Sequence, residues 1–188
     1  MKRITYDSKS AISEAHKELI NGGIIVYPTD TIYGFGCNAK NNLAIKKLNK
    51  IKRRTRPMSI LAPNVQTASD WMDISSKHKK FAQNIIRRSD TVIVPGKKNI
   101  CSELIKGKNH SIGIRISNHP FCQKLALVCS FPITTTSVNR TGEKPMTDPE
   151  IIASEFHNEI NLIIEDKIID GNASKIYLFQ DGSWISMR

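Results

Sequence analysis

The sequence predicts an α/β fold, a largely buried sheet layered with helices. Short apolar, β-branched runs alternate along the chain with stretches whose apolar residues recur every three to four positions. The 188 residues are 39% apolar and 24% charged, the composition of a folded protein long enough to close a full hydrophobic core. The sequence holds no repeat, low-complexity tract or linker, so a single domain over residues 1–188 is expected.

Asp7 and Ser8 are placed to cap a first helix through "SAISEAHKELI", with Ile12, Ala15, Leu19 and Ile20 inward and Gly22-Gly23 as its stop. "GIIVYPT" follows as an apolar strand ended by Pro28. Asn42 opens a second helix that turns Ala44, Ile45, Leu48 and Ile51 inward and Lys46, Lys47 and Lys50 to solvent. "MSILAP" reads as a buried strand, "SSKHKKFAQNIIRR" as a basic helix and "TVIVP" as the next strand. The Lys- and Gly-rich stretch 96–110 reads as a mobile loop.

Strand "SIGIRIS", helix "HPFCQKLALVCS" and strand "FPITTTS" come next. Thr147 and Glu150 have the spacing of a capping box for helix "DPEIIASEFH". The chain closes with strand residues 161–164, then "KIYLF", a turn at Asp181-Gly182, and "SWISMR" paired back on "KIYLF".

The net charge of +11 implies an anionic partner, such as a nucleotide, nucleic acid or phosphorylated metabolite, or else is plain solubility charge. Cys37, Cys101, Cys122 and Cys129 form no CxxC pair, and no His stands at metal spacing from them. Reduced thiols and a cytoplasmic location are expected. No apolar run approaches the roughly 20 residues that a membrane span needs.

Ligands of open α/β sheets sit in the loops beyond strand ends, and three such places carry polar clusters. In "YPTDTIYGFG", Thr29, Asp30 and Thr31 follow the strand, and Gly34 and Gly36 would admit a ligand close to the backbone. In "KIKRRTRPMSIL", Lys52 and Arg54 alternate; an extended segment would turn both into one pocket, as a point charge beside a forked guanidinium. In "PITTTSVNRTG", Thr134–Ser137 and Asn139 offer neutral hydrogen-bonding groups, which strand propensity explains for the threonines but not for Ser137-x-Asn139. The sequence holds no P-loop, no HExxH and no evident Ser-His-Asp set, and its five histidines are scattered.

"YPTDTIYGFGCNA", "IKRRTRP", "IGIRISNHP", "TTSVNRTGEKPMT" and "NASKIYLF" resemble, in that order, the YrdC/TsaC family of threonylcarbamoyl-AMP synthases, from about Gly22 to Arg188. The resemblance implies a YrdC-like open twisted sheet with a large basic concave cavity. It implies ATP (with Mg²⁺), L-threonine and bicarbonate as substrates. The product passes to tRNA-modification proteins; beside the resemblance, the net charge allows weak RNA binding, and the lack of a long apolar run argues against a membrane partner. It assigns Lys52, Arg54, Ser111, Thr135, Ser137, Asn139 and Arg188 to ATP, and Thr31, Arg115 and Ser174 to threonine. It assigns no nucleophile, general base or protein-held metal.

The chain departs from the family pattern at Arg88-Ser89-Asp90-Thr91, where a Pro-Gly-Pro-x-Thr turn is usual, and at Ser174-Lys175. Two other readings stand beside this one: an RNA-binding module of YrdC-like fold, and a carbamoyl-adenylate-handling enzyme like the YrdC-type domain of hydrogenase-maturation proteins.

Overall fold

The structure is a computed structural model that describes residues 1–55 and 57–187. The elements in chain order are β1 (Lys2–Thr5), α1 (Ala11–Ile20), β2 (Ile25–Tyr27), β3 (Gly34–Gly36), α2 (Asn42–Lys52), β4 (Ser59–Leu61), α3 (Val65–Trp71) and α4 (Ser76–Ile86). They continue with β5 (Thr91–Pro95), β6 (Ser111–Arg115), α5 (Pro120–Val128), β7 (Ile133–Ser137), α6 (Pro149–Phe156), β8 (Leu162–Glu165), β9 (Ile176–Gln180) and β10 (Ser183–Ser186).

Among the described residues the ten strands form one open sheet in the order β1-β8-β2-β3-β7-β4-β6-β5-β9-β10. The sheet is mixed. β4 runs parallel to β6 but antiparallel to β7, and β5 runs antiparallel to β6 but parallel to β9. The terminal hairpin expected from "KIYLF" and "SWISMR" is present, with Trp184 opposite Phe179. Phe81 of α4 packs on Trp184 and so holds the hairpin against the helix.

The two faces of β5 and β6 divide the molecule, because side chains alternate along a strand. Val92, Val94, Ile112 and Ile114 point into the larger hydrophobic core with Ile45 and Leu48 of α2 and Ala82, Ile85 and Ile86 of α4. Thr91, Ile93, Ser111, Gly113 and Arg115 point the other way and floor a cavity.

Several local expectations are corrected. The N-terminal residues form β1, paired parallel to β8, where the sequence showed no strand signal. Helix α1 starts after Ser10, whose side chain makes no capping bond, and Ile20 is exposed rather than inward. Asn41, not Asn42, caps α2, its side chain accepting from the N–H groups of Leu43 and Ala44. Asp148, not Thr147, caps α6, accepting from Glu150 N–H, while the Glu150 carboxylate pairs with Arg3. Helix α3 went unseen because its Val65, Ala68 and Trp71 recur at helical spacing over only seven residues, too short a run to stand out beside the polar residues around it.

Residues 96–110 are anchored rather than loose. Cys101 and Ile105 are buried, and two short 3₁₀ turns, Glu103–Ile105 and Lys108–His110, order the backbone. Gly34 and Gly36 are not loop residues but the two ends of β3, and Gly34 does line the cavity. At Gly36 a Cβ would lie 2.6 Å from the Tyr27 ring, so this glycine admits core packing rather than a ligand. Among the described residues no helix is long and apolar enough to cross a membrane.

Candidate functional site

The cavity holds about 700 Å³ and runs along the strand direction of β6. Ser111 and Arg115, the first and last residues of β6, both line it, about 13 Å apart along that strand. Its lining includes Thr29, Thr31, Ile32 and Tyr33 from the loop after β2, and Arg54, Ser59, Thr135, Thr136 and Ser137.

At the Arg115 end the guanidinium is held from behind. Its Nη2 donates to Asp30 Oδ1 at 2.8 Å and its Nη1 to Thr31 Oγ1 at 3.3 Å. Ser117 Oγ also donates to Asp30 Oδ1, at 2.6 Å. Burial works to raise the Asp30 pKa, but the Ser117 hydroxyl and the nearby Arg115 charge outweigh it and hold the carboxyl below the usual carboxylate range. Asp30 therefore stays ionised and fixes the plane of the Arg115 fork.

Residues 166–175 cross the same end as a strap, since β8 and β9 are second and ninth in the sheet. Asp166 N–H donates to the Tyr33 hydroxyl at 2.8 Å. A Cβ on Gly171 would lie 2.4 Å from Thr31 O, so only glycine lets the strap come this close. Ser174 Oγ sits 3.0 Å from Thr91 Oγ1 at the strap's far end.

At the other corner the chain leaves α2 by a tight reversal. Arg53 adopts a left-handed backbone (φ 52°). Arg54 N–H bonds to Asn49 O at 3.0 Å and Arg53 N–H to Lys50 O at 3.1 Å, the pattern of a Schellman ending. This turn, not an extended segment, sends Lys52 and Arg54 toward β7 and leaves Arg53 exposed. Arg54 Nη2 donates to Thr136 Oγ1 at 2.9 Å.

Lys52 lies deeper. It is 1% exposed, and its ammonium donates to Ser137 O at 2.6 Å and Asn139 Oδ1 at 2.8 Å. Ser137 Oγ donates to the same Asn139 oxygen at 2.7 Å. Burial, with the Arg54 charge beside it, pushes the Lys52 pKa down to about 7.

Thr31, Arg54, Ser111, Arg115, Thr135, Ser137 and Ser174 thus line one cavity. Lys52 and Asn139 stand a layer behind Ser137 rather than on the cavity surface. The expectation for Arg188 falls outside the described residues. Lys108, Phe179, Gln180 and Asp181 also line the cavity and were missed by sequence reasoning. The Asp181-Gly182 turn was legible, but not that β9 would place it beside β5. Among the described residues no group of three or more His, Cys, Asp or Glu is arranged to hold a metal ion.

Residues 17–188 match the family Sua5_yciO_yrdC, described as Telomere recombination. The threonylcarbamoyl-AMP synthase of Photobacterium profundum is 33% identical over 152 residues, which cover 78% of this chain and 82% of that protein. E. coli YciO shares the fold at a TM-score of 0.88 and 21% identity, over 100% of this chain and 92% of that one. P. abyssi Sua5, solved in complex with L-threonine, also gives 0.88 at 21% identity, over 100% of this chain but only 56% of its own.

Proposed function

The chain belongs to the Sua5/YciO/YrdC family, and from that membership we propose that it is an L-threonylcarbamoyladenylate synthase. It would join L-threonine, bicarbonate and ATP into threonylcarbamoyl-AMP and pyrophosphate, the activated group then passing to tRNA-modification proteins. One observation supports this reading above the rest. Arg54 and Ser137, backed by Lys52 and Asn139, share one cavity with the Arg115 fork and Thr31.

The proposed chemistry needs threonine's amine to capture carbon dioxide and the resulting carbamate to attack the α-phosphate. Both reactants are anions, so the protein's task is to neutralise charge and align them. Arg54 and the Ser137 hydroxyl would hold phosphate oxygens, and Lys52 would add charge from behind the Ser137 wall. The Arg115 fork suits the threonine carboxylate, with the Thr31 hydroxyl beside it. Mg²⁺ would be carried in on the triphosphate, and Asp181, which lines the cavity, offers one carboxylate to it. That ion would supply charge neutralisation at the phosphates.

Lys52 gives this arrangement a pH signature. Its pKa lies at about 7 in the empty cavity, and a neighbouring triphosphate favours the ammonium. Nucleotide binding above that pH must take up a proton. ATP affinity is expected to fall as pH rises from about 7 to about 9, by at most roughly tenfold per pH unit from this group. Calorimetric titration in buffers of different ionisation enthalpy measures the proton directly; no uptake above neutrality would remove Lys52 from the phosphate site.

The function itself is tested by incubating the protein with ATP, Mg²⁺, bicarbonate and each amino acid in turn, and following pyrophosphate. Release that depends on L-threonine and bicarbonate is expected. Silence with every amino acid, together with tight RNA binding, would replace the enzyme by a binding module.

A further inference from the structure

Arg140 is a buried cation that the proposed chemistry leaves unused. Its side chain is 9% exposed, immediately after Asn139 in the chain. Nη1 donates to Ile51 O at 2.7 Å and to Glu159 Oε2 at 3.0 Å. Nη2 pairs with Glu159 and reaches Glu155 Oε1 at 3.3 Å. The guanidinium carbon lies 4.5 Å from the centre of the Phe156 ring.

Ile51 belongs to the last turn of α2, where carbonyls lack helical partners. The next carbonyl, that of Lys52, accepts from Thr141 N–H at 3.1 Å and Thr141 Oγ1 at 2.7 Å. The stretch from Ser137 to Thr141 therefore grips one lysine at both ends. Ser137 and Asn139 take the ammonium, and Arg140 and Thr141 take the backbone from which it springs. A planar guanidinium can serve a carbonyl and two carboxylates at once; a lysine cannot.

We propose that Arg140 is a positioning residue for Lys52, fixing the end of α2 so that the ammonium stays behind the Ser137 wall, and tying that position to Glu155 in the last turn of α6 and Glu159 just beyond it. The plainer alternative is a brace between α2 and α6 with no consequence for Lys52. The clamp rests on the proposed function only in what Lys52 is held for; the holding itself can be measured without substrate.

Two variants separate the possibilities. Arg140→Met keeps the stem over Phe156 and removes every donor. Arg140→Lys keeps a cation for Glu159 but cannot also reach Ile51 O. The Lys52 side chain is titrated by heteronuclear NMR in the full chain without nucleotide, and Mg²⁺·ATP affinity is measured in parallel.

A loosened helix end admits water to the ammonium. Both variants should therefore move the Lys52 titration up by about one pH unit or more, and weaken ATP binding about tenfold when it is measured near pH 6, where the ammonium is charged in parent and variants alike. Arg140→Lys should do so while melting close to the parent. A Lys52 titration unchanged in both variants, even with a lowered melting temperature, would overturn the clamp and leave the brace. If Arg140→Met does not fold, Arg140→Lys decides alone. Failure of the parent to bind ATP would count against the proposed function, while the NMR titration would still judge the clamp.

Discussion

Replacement of Arg54 by alanine is expected to lower Mg²⁺·ATP affinity about tenfold to a hundredfold, the loss of one charge-assisted phosphate contact of roughly 1.5–3 kcal/mol. The fold should survive, because Arg54 is only partly buried and its bond to Thr136 Oγ1 joins side chains at the cavity wall rather than in the core. Arg53→Ala is the control. Arg53 has the same charge one residue away, but the Schellman turn points it to solvent. An exposed charge is screened within about 10 Å in ordinary buffer, so its removal should change affinity less than about twofold. Calorimetry on both variants at one salt concentration checks the pair. Equal losses would mean that the cavity attracts nucleotide by diffuse charge and not through a directed guanidinium.

The same turn brings Lys52 and Arg54 together by a route that the sequence did not show. Lys52 and Arg54 stood out as an alternating pair, and they do converge on β7. A left-handed Arg53 brings them there, and residue type gives no warning of it, since glycine is the usual occupant of such a position. Helices α2, α4 and α5 and strands β2, β5 and β6 were legible because each carries its own period or a continuous apolar run. Strand β1 was not, since "KRIT" is a four-residue edge strand with mostly exposed side chains.

Sheet order was illegible for a different reason. The pairing of β4 with both β6 and β7 joins segments more than fifty residues apart, and local pattern carries no information on it. The depth of Lys52 was hidden likewise. Its partners, Ser137 and Asn139, were picked out as neighbours of a ligand, and the structure makes them neighbours of the lysine itself.

Arg115 is where sequence and structure together make the sharpest demand. Arg115→Lys is expected to raise the L-threonine requirement about tenfold or more, with ATP affinity changed less than about twofold, because lysine keeps the charge and loses the two-pronged geometry that matches a carboxylate. The guanidinium is already engaged by Asp30 at 2.8 Å, and that partner invites the objection that Arg115 merely pins the 28–31 loop. The two roles differ in what lysine can rescue. A pin needs one cation near Asp30, which lysine supplies, so stability and both substrates would stay near the parent values. A carboxylate receptor needs one edge of the fork for Asp30 and further donors facing the cavity, and a single ammonium cannot provide both. Steady-state titration of each substrate against the other, with a chemical denaturation curve for the same variant, reads the difference. Equal losses for threonine and ATP, or none for either, would take Arg115 out of the threonine end of the cavity.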